Sequence, residues 1–324
     1  MTRLTGPVAV VVDHLDGALT TPSAEVLTQA RALTSADVVA ISLDAPDVTA
    51  LGRYGVAAVY APQLGDLSST VSAVAAEAVL AASAAAHPEA VLMVSSFAGK
   101  ELAARLAVAF DSGAIVDATG ITVDEDGLLA SKTVLQGSWD TTCRVVRGTP
   151  VLALKPTVIE AEEVDEPTTP QVLDVPVDFS QTARQVAVLS RTPHPRGRAP
   201  LAEARTVVAG GRGTEGDFTL INALADELEA TVGATRVATD EGWIDHASQI
   251  GQTGVTISPR LYIGAGISGA IHHTAGMQSA QTIVAINNDP EAPIFEMADL
   301  GIVGDLNDVI PQAVEELRRL RSEQ

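Results

Sequence analysis

The stretch LYIGAGISGAIHHTAGMQSAQTIVAINN, residues 261–288, decides the fold. It opens with a short apolar strand over 261–263 and passes into a glycine turn over 264–269. A short helical segment with two adjacent histidines, His272 and His273, follows. A second strand over 282–286 closes it, ending on Asn287 and Asn288. Strand, glycine turn, helix start and strand is the layout that places a phosphate or a flat cofactor at the carboxyl edge of a parallel sheet.

Working outward, the same alternation recurs along the chain. VAVVV at 8–12 is apolar on both faces, the mark of a buried parallel strand. Helical spacing over 22–33 leads to a strand at 38–41, a turn at 52–56 and a strand at 57–60. An Ala-rich helix over 69–86, a strand at 90–94 and a helix over 99–110 complete the series. Strands and helices in this rhythm give right-handed βαβ crossovers and a doubly wound sheet. After Gly113 the strand-like runs 128–135, 143–147 and 151–155 have no helices between them, which predicts an antiparallel extension of that sheet. The acidic run 160–166 reads as a solvated, mobile segment.

Residues 190–201, SRTPHPRGRAPL, combine three prolines with four basic side chains and lack apolar periodicity. They predict a first α/β domain over 1–190, a linker over 191–203 and a second α/β domain over 204–324. That second domain is expected to run from a strand at 206–209 through the turn Gly210-Gly-Arg-Gly213 into a helix over 218–232. Past the helix end come Thr235 and Arg236, then the glycine turn Ile250-Gly251-Gln252-Thr253-Gly254. A terminal helix carries Pro311 in its first turn.

Composition narrows the class. The chain has 324 residues, 46% apolar but only 3% aromatic, and 20 basic against 41 acidic side chains give a net charge of −21. That charge repels nucleic acid and anionic membranes, and so few aromatics argue against base stacking. A single cysteine, Cys143, excludes an internal disulfide and a cysteine-built metal site. No apolar run reaches the roughly 20 residues of a membrane span. The first strand begins so early that no signal or transit peptide is expected, which predicts a cytoplasmic chain.

Gly264, Gly266 and Gly269 match G-x-G-x-x-G, yet the match stands late in the chain and no acidic residue follows about twenty positions on. An ordinary nicotinamide site is disfavoured. Adjacent histidines on a helix point about 100° apart, and no carboxylate stands three or four residues away, so a metal site is not expected. Ser268 lies in no nucleophile elbow. The loop 95–100 meets a helix start but lacks the spacing of a phosphate loop, and a helix cap is its simpler role. What remains is a set of polar loops, each with one hydrogen-bonding or cationic residue beside glycine: Arg212, Thr235 with Arg236, Gln252 with Thr253, Ser268 with His273, Asn287 and Asp305. Many single contacts of this kind suit a large, polyfunctional, anionic ligand. The residues by themselves reach as far as a nucleotide-like cofactor.

Five segments, GGRG at Gly210, GATR at Gly233, IGQTG at Ile250, LYIGAGISGAIHH at Leu261 and TIVAINNDPEAPIFEMADLGIVGDL at Thr282, are closely similar to the alpha subunit of electron transfer flavoprotein. FAGKELAARLA and DATGI extend the resemblance, more loosely, into the first half. The resemblance implies two α/β domains, the second binding FAD, paired with a beta subunit in a heterodimer. It implies FAD contacts from Arg212, Thr235, Arg236, Ile250, Gly251, Gln252 and Thr253. A second group comprises Ser268, Gly269, Ala270, Ile271, His272, His273, Asn287, Asp305 and Leu306. Asp305 is expected at the adenosine end and the Ser268 turn at the phosphates and ribityl chain. Arg236 and His273 are expected to favour negative charge on the reduced flavin, with the Thr253 hydroxyl bonding its N5. Electrons would arrive from flavin dehydrogenases, such as those acting on acyl-CoA in fatty-acid β-oxidation, and leave to a quinone oxidoreductase; the chain would turn over no substrate itself. His272 stands where the family usually has glutamine, Thr235 where serine is common, and Val255 where lysine is common. A bifurcating relative using NADH and a non-redox nucleotide-binding module remain open as alternatives at this point.

Overall fold

The computed structural model describes residues 2–135, 139–190 and 198–322, and these divide into two compact units. Most of the expected linker, residues 191–197, lies outside the described residues. Its end carries a short 3-10 turn at Leu201–Glu203.

In the first unit Val8–Val12 is the middle strand of a seven-stranded, all-parallel sheet. On one side it pairs with Val38–Ser42, then Ala58–Pro62 and Gln171–Val175; on the other with Ala90–Val94, then Val151–Leu154 and Ala114–Ala118. The apolar run over 8–12 is explained by two cores, one on each face. Val8, Val10 and Val12 pack with Val26, Leu27, Ala30 and Leu33 of the helix Thr21–Leu33. Ala9 and Val11 pack with Ala75, Val79 and Ala82 of Ser72–Ala86 and with Leu102 and Leu106 of Phe97–Ala109. A parallel strand covered by helices on both faces has no polar face to spare.

Three expectations are corrected here. The antiparallel strands Gly120–Asp124, Gly127–Val134 and Trp139–Cys143 form a separate three-stranded sheet. Val151–Leu154 is not among them; wholly buried, it returns to the parallel sheet between two other strands. The acidic run is not free: Thr28 Oγ1 accepts from Glu162 N (3.0 Å), Glu162 O accepts from Arg31 (2.6 Å) and Val164 N donates to Arg53 O (2.8 Å). Backbone groups fasten the run, and the half-exposed Glu163 carboxylate adds an ion pair to Arg53 at 3.2 Å. The loop 95–100 acts as a cap, with Ser96 Oγ accepting from Gly99 N at 3.0 Å and Lys100 paired to Asp117 at 2.8 Å.

The second unit is a five-stranded parallel sheet with Thr206–Gly210 between Thr231–Ala234 and Leu261–Ala265, followed by Thr282–Asn287 and Leu300–Val303. The helices Thr219–Glu227 and Leu306–Ser322 cover one face through Ile221, Leu224, Ile310 and Val314. The opposite face is covered by irregular chain, with Ile250, Ile257, Met277 and Ile294 packed over Val207, Ala209 and Tyr262. The helix expected over 218–232 stops at Glu227. Glu229 turns left-handed (φ 50°), and the β-branched pair Thr231 and Val232 enters the sheet instead. Thr235 and Arg236 therefore follow a strand and open a short helix, Arg236–Asp240, rather than trailing a helix end. Pro311 is the sixth residue of the terminal helix, inside it and beyond its first turn.

Candidate cofactor site

The carboxyl ends of the parallel strands in the second unit converge on one open cavity of about 970 Å3. Thr206–Gly210 delivers the turn with Arg212, Gly213, Thr214 and Glu215. Thr231–Ala234 delivers Thr235 and Arg236. From Leu261–Ala265 come Gly266, Ile267 and Ser268; from Thr282–Asn287, Asn287 to Asp289; and from Leu300–Val303, Gly304 to Asn307. Five successive strand ends at one edge are what a parallel sheet brings together, and it is where such folds hold their ligands.

The two glycine turns meet backbone to backbone. Gly213 N donates to Gly266 O (2.9 Å), and a Cβ on Gly213 would stand 2.7 Å from Gly266 Cα. Gly269 has φ +87°, and a Cβ there would meet Ile294 N at 2.4 Å. The G-x-G-x-x-G spacing thus serves close packing of this unit, not a nicotinamide fingerprint. The polar wall is arranged by short bonds. Asn287 Nδ2 donates to Ile267 O (2.8 Å) and its Oδ1 accepts from Asp289 N (3.0 Å). Asp305 Oδ1 accepts from Asn307 N (2.8 Å) at the start of the terminal helix. Arg236 Nε pairs with Asp240 at 3.1 Å, whereas the exposed Arg212 has no side-chain partner among the described residues. The Thr235 hydroxyl oxygen is buried and bonded to nothing.

Of the residues expected at the site, Arg212, Thr235, Arg236, Ser268, Ala270, His272, His273, Asn287, Asp305 and Leu306 line this one cavity. Ile250, Gly251, Gln252 and Thr253 do not line it. They form a loop behind the helix Ile271–Thr274 and are tied to it. Gln252 N donates to His272 O and His272 Nδ1 lies 2.8 Å from Gln252 Oε1. His273 Nδ1 is 3.1 Å from Ile250 O. Thr253 Oγ1 accepts from Gln249 Nε2 (3.0 Å). Gly269 is buried behind the wall, and Ile271 is exposed but outside the lining. His273 is 6% exposed, and burial pushes its pKa down to about 4. It is neutral near pH 7, so the fixed positive charge of the wall comes from Arg212 and Arg236. The carboxylates of Glu215, Asp217 and Asp289 also line the cavity, and sequence reasoning missed them. Glu215 is left-handed (φ 49°) and stands next to Gly216, and Asp217 Oδ1 accepts from Thr219 N at 2.8 Å. The run Asn287-Asn288-Asp289-Pro290 was the available signal for the third.

A sheet edge with backbone-packed glycine turns, two arginines and a cavity in the size range of a nucleotide cofactor defines a nucleotide-cofactor-binding α/β protein. Comparison with known proteins narrows this. Residues 200–278 match the electron transfer flavoprotein FAD-binding domain and residues 8–180 the electron transfer flavoprotein domain. Electron transfer flavoprotein subunit alpha of Mycobacterium leprae is 38% identical over 318 residues, covering 95% of this chain and 97% of the relative. The subunit of the same name from Mycobacterium tuberculosis is 39% identical over 316 residues, covering 96% and 98%. Protein FixB of Clostridium saccharobutylicum is 37% identical over 233 residues, covering 70% of each. The chain belongs to the electron transfer flavoprotein alpha-subunit family, whose cofactor is FAD and whose members carry electrons rather than turn over a substrate. No helix among the described residues is long and apolar enough to cross a membrane.

Proposed function

We propose that this chain is the FAD-carrying subunit of a cytoplasmic heterodimer, paired with a beta subunit. Its electrons arrive from flavin dehydrogenases, such as those oxidising acyl-CoA, and leave to a quinone oxidoreductase. The observation that carries the reading is the single cavity at the sheet edge of the second unit, where ten of the residues expected to touch FAD stand together. The residues fit the group. Arg212 has a free guanidinium for the diphosphate, and the glycine turn before Ser268 lets backbone approach it. The unbonded Thr235 hydroxyl is a buried polar group short of one partner. Asp305 serves the adenosine end while capping the helix Leu306–Ser322. Ile250 and Gln252 contribute by holding His273 and His272 in place, and Thr253 by its bond from Gln249 in the same loop.

Bound FAD supplies the electron chemistry, taking up and releasing electrons at its ring. The protein's part is to bind it, exclude water around it and set its potential. Arg236 favours added negative charge, and its pairing with Asp240 moderates that effect. No side chain of the wall is needed as an acid or base. Co-expression with the beta subunit tests the heterodimer: co-elution as a one-to-one pair supports it, and a chain that stays alone in the presence of that subunit rejects it.

A further inference from the structure

Tyr262 lies in the strand Leu261–Ala265, fully buried on the face covered by irregular chain. Its phenol oxygen is 2.7 Å from His273 Nε2. The other ring nitrogen, Nδ1, is 3.1 Å from the carbonyl oxygen of Ile250. A carbonyl only accepts, so Nδ1 carries a proton. A neutral ring then offers a lone pair at Nε2, and the Tyr262 O–H donates to it. Burial supports this arrangement from both ends, pushing the imidazole down to about 4 and the phenol above its ordinary range. Every polar atom of the chain Tyr262 to His273 to Ile250 is satisfied inside the protein, in a region with no room for a charge.

We infer that Tyr262 is a positioning residue of the FAD site: its O–H holds the His273 ring at Nε2, in the tautomer that the Ile250 carbonyl sets, and through that ring it anchors the loop 250–254. This rests on the reading of the cavity as the FAD site. The two adjacent histidines then divide one task, since His273 grips Ile250 and His272 grips Gln252. Gly251 sits between the grips, so close that a Cβ on it would meet His272 O at 2.6 Å. In this arrangement both ring nitrogens of His273 are occupied within the protein. The titratable groups beside it are Tyr262 on the sheet and His272 on its own helix, and the cavity it lines also carries Arg212, Glu215, Asp217, Arg236, Asp289 and Asp305.

The test uses the full chain labelled with nitrogen-15 histidine, whose ring resonances report tautomer and titration for each of its 6 histidines. His273→Asn identifies the signal by removing it. The expected result is one ring in the Nδ1–H form that stays neutral down to about pH 5. In Tyr262→Phe that ring, its lone pair at Nε2 left without a donor, is expected to keep the Nδ1–H form but titrate at higher pH, and the Kd for FAD to rise about fivefold. An Nε2–H tautomer in the unaltered chain overturns the inference, and this spectrum decides it even if Tyr262→Phe does not fold. An unchanged ring titration, or an unchanged FAD affinity, in a folded Tyr262→Phe also overturns it. An unaltered chain that shows the Nδ1–H tautomer but takes up no FAD instead refutes the cofactor reading.

Discussion

Thr235→Val separates a hydroxyl reserved for a ligand from one that holds the fold. Thr235 stands between the strand Thr231–Ala234 and the helix Arg236–Asp240, with extended backbone (φ −77°, ψ 161°) that valine adopts as readily. Its hydroxyl makes no capping bond and is buried without a partner. An unsatisfied buried hydroxyl costs about 1–3 kcal/mol, and a methyl of the same shape does not. The ligand-free variant is therefore expected to gain about 1 kcal/mol, raising Tm by roughly 2–4 °C for a domain of this size. Saturating FAD offsets that gain, so the loaded variant and parent are expected to melt at nearly the same temperature. Loss of one hydrogen bond worth about 1 kcal/mol weakens Kd roughly fivefold. Thermal melts with and without saturating FAD, together with quenching of flavin fluorescence, measure both quantities on one preparation. A variant that is less stable without FAD, or that binds FAD as tightly as the parent, would refute the reasoning.

Three further predictions follow from the same unit. The His273 pKa of about 4 lies below the 6.5 of an exposed imidazole, so between these values the unfolded chain binds more protons. The stability present above pH 6.5 is lost as the pH falls, by about 2 kcal/mol at pH 5. Denaturation followed at Trp243, with Trp139→Phe removing the other tryptophan, should show this slope in the parent and not in His273→Asn; equal slopes exclude it. Gly269→Ala forces a Cβ onto φ +87° and against Ile294 N, and should cost about 2 kcal/mol or more by urea denaturation. Arg236→Ala should lower the midpoint potential of bound FAD by roughly 20–60 mV in a reductive titration, the scale of up to a tenfold bias at one electron. An unchanged potential would remove Arg236 from that role.

The parallel strands are legible wherever both faces of a strand are buried, because there the sequence is a short continuous apolar run, as at 8–12 and 90–94. Val151–Leu154 is such a run too, but its partners are chosen by the crossover that precedes it, and no local residue records that choice. Gln171–Val175 is an edge strand whose exposed Gln171, Val172 and Asp174 dilute the pattern. The strand Thr231–Ala234 was hidden because Leu228 continues the helical spacing of Ile221 and Leu224 for one more turn. At the site, the cationic and hydroxyl residues were legible because each stands beside glycine at the end of a strand. Glu215 and Asp217 flank Gly216, but past a 3-10 turn rather than at the strand end, and Asp289 has no glycine neighbour. Nor does the sequence distinguish a residue that lines the cavity from one that braces it: Gln252 and Thr253 sit beside glycine like the others, and only the packing of the loop behind Ile271–Thr274 separates them.

The central claim is that the second unit holds FAD at the carboxyl edge of its sheet. The visible absorption spectrum of the pair purified after co-expression with the beta subunit, with the flavin released and counted, tests it most directly. The expected result is a yellow protein whose FAD is lost or loosened by Thr235→Val and Gly269→Ala. A folded, colourless pair that cannot be reconstituted with added FAD would contradict the account.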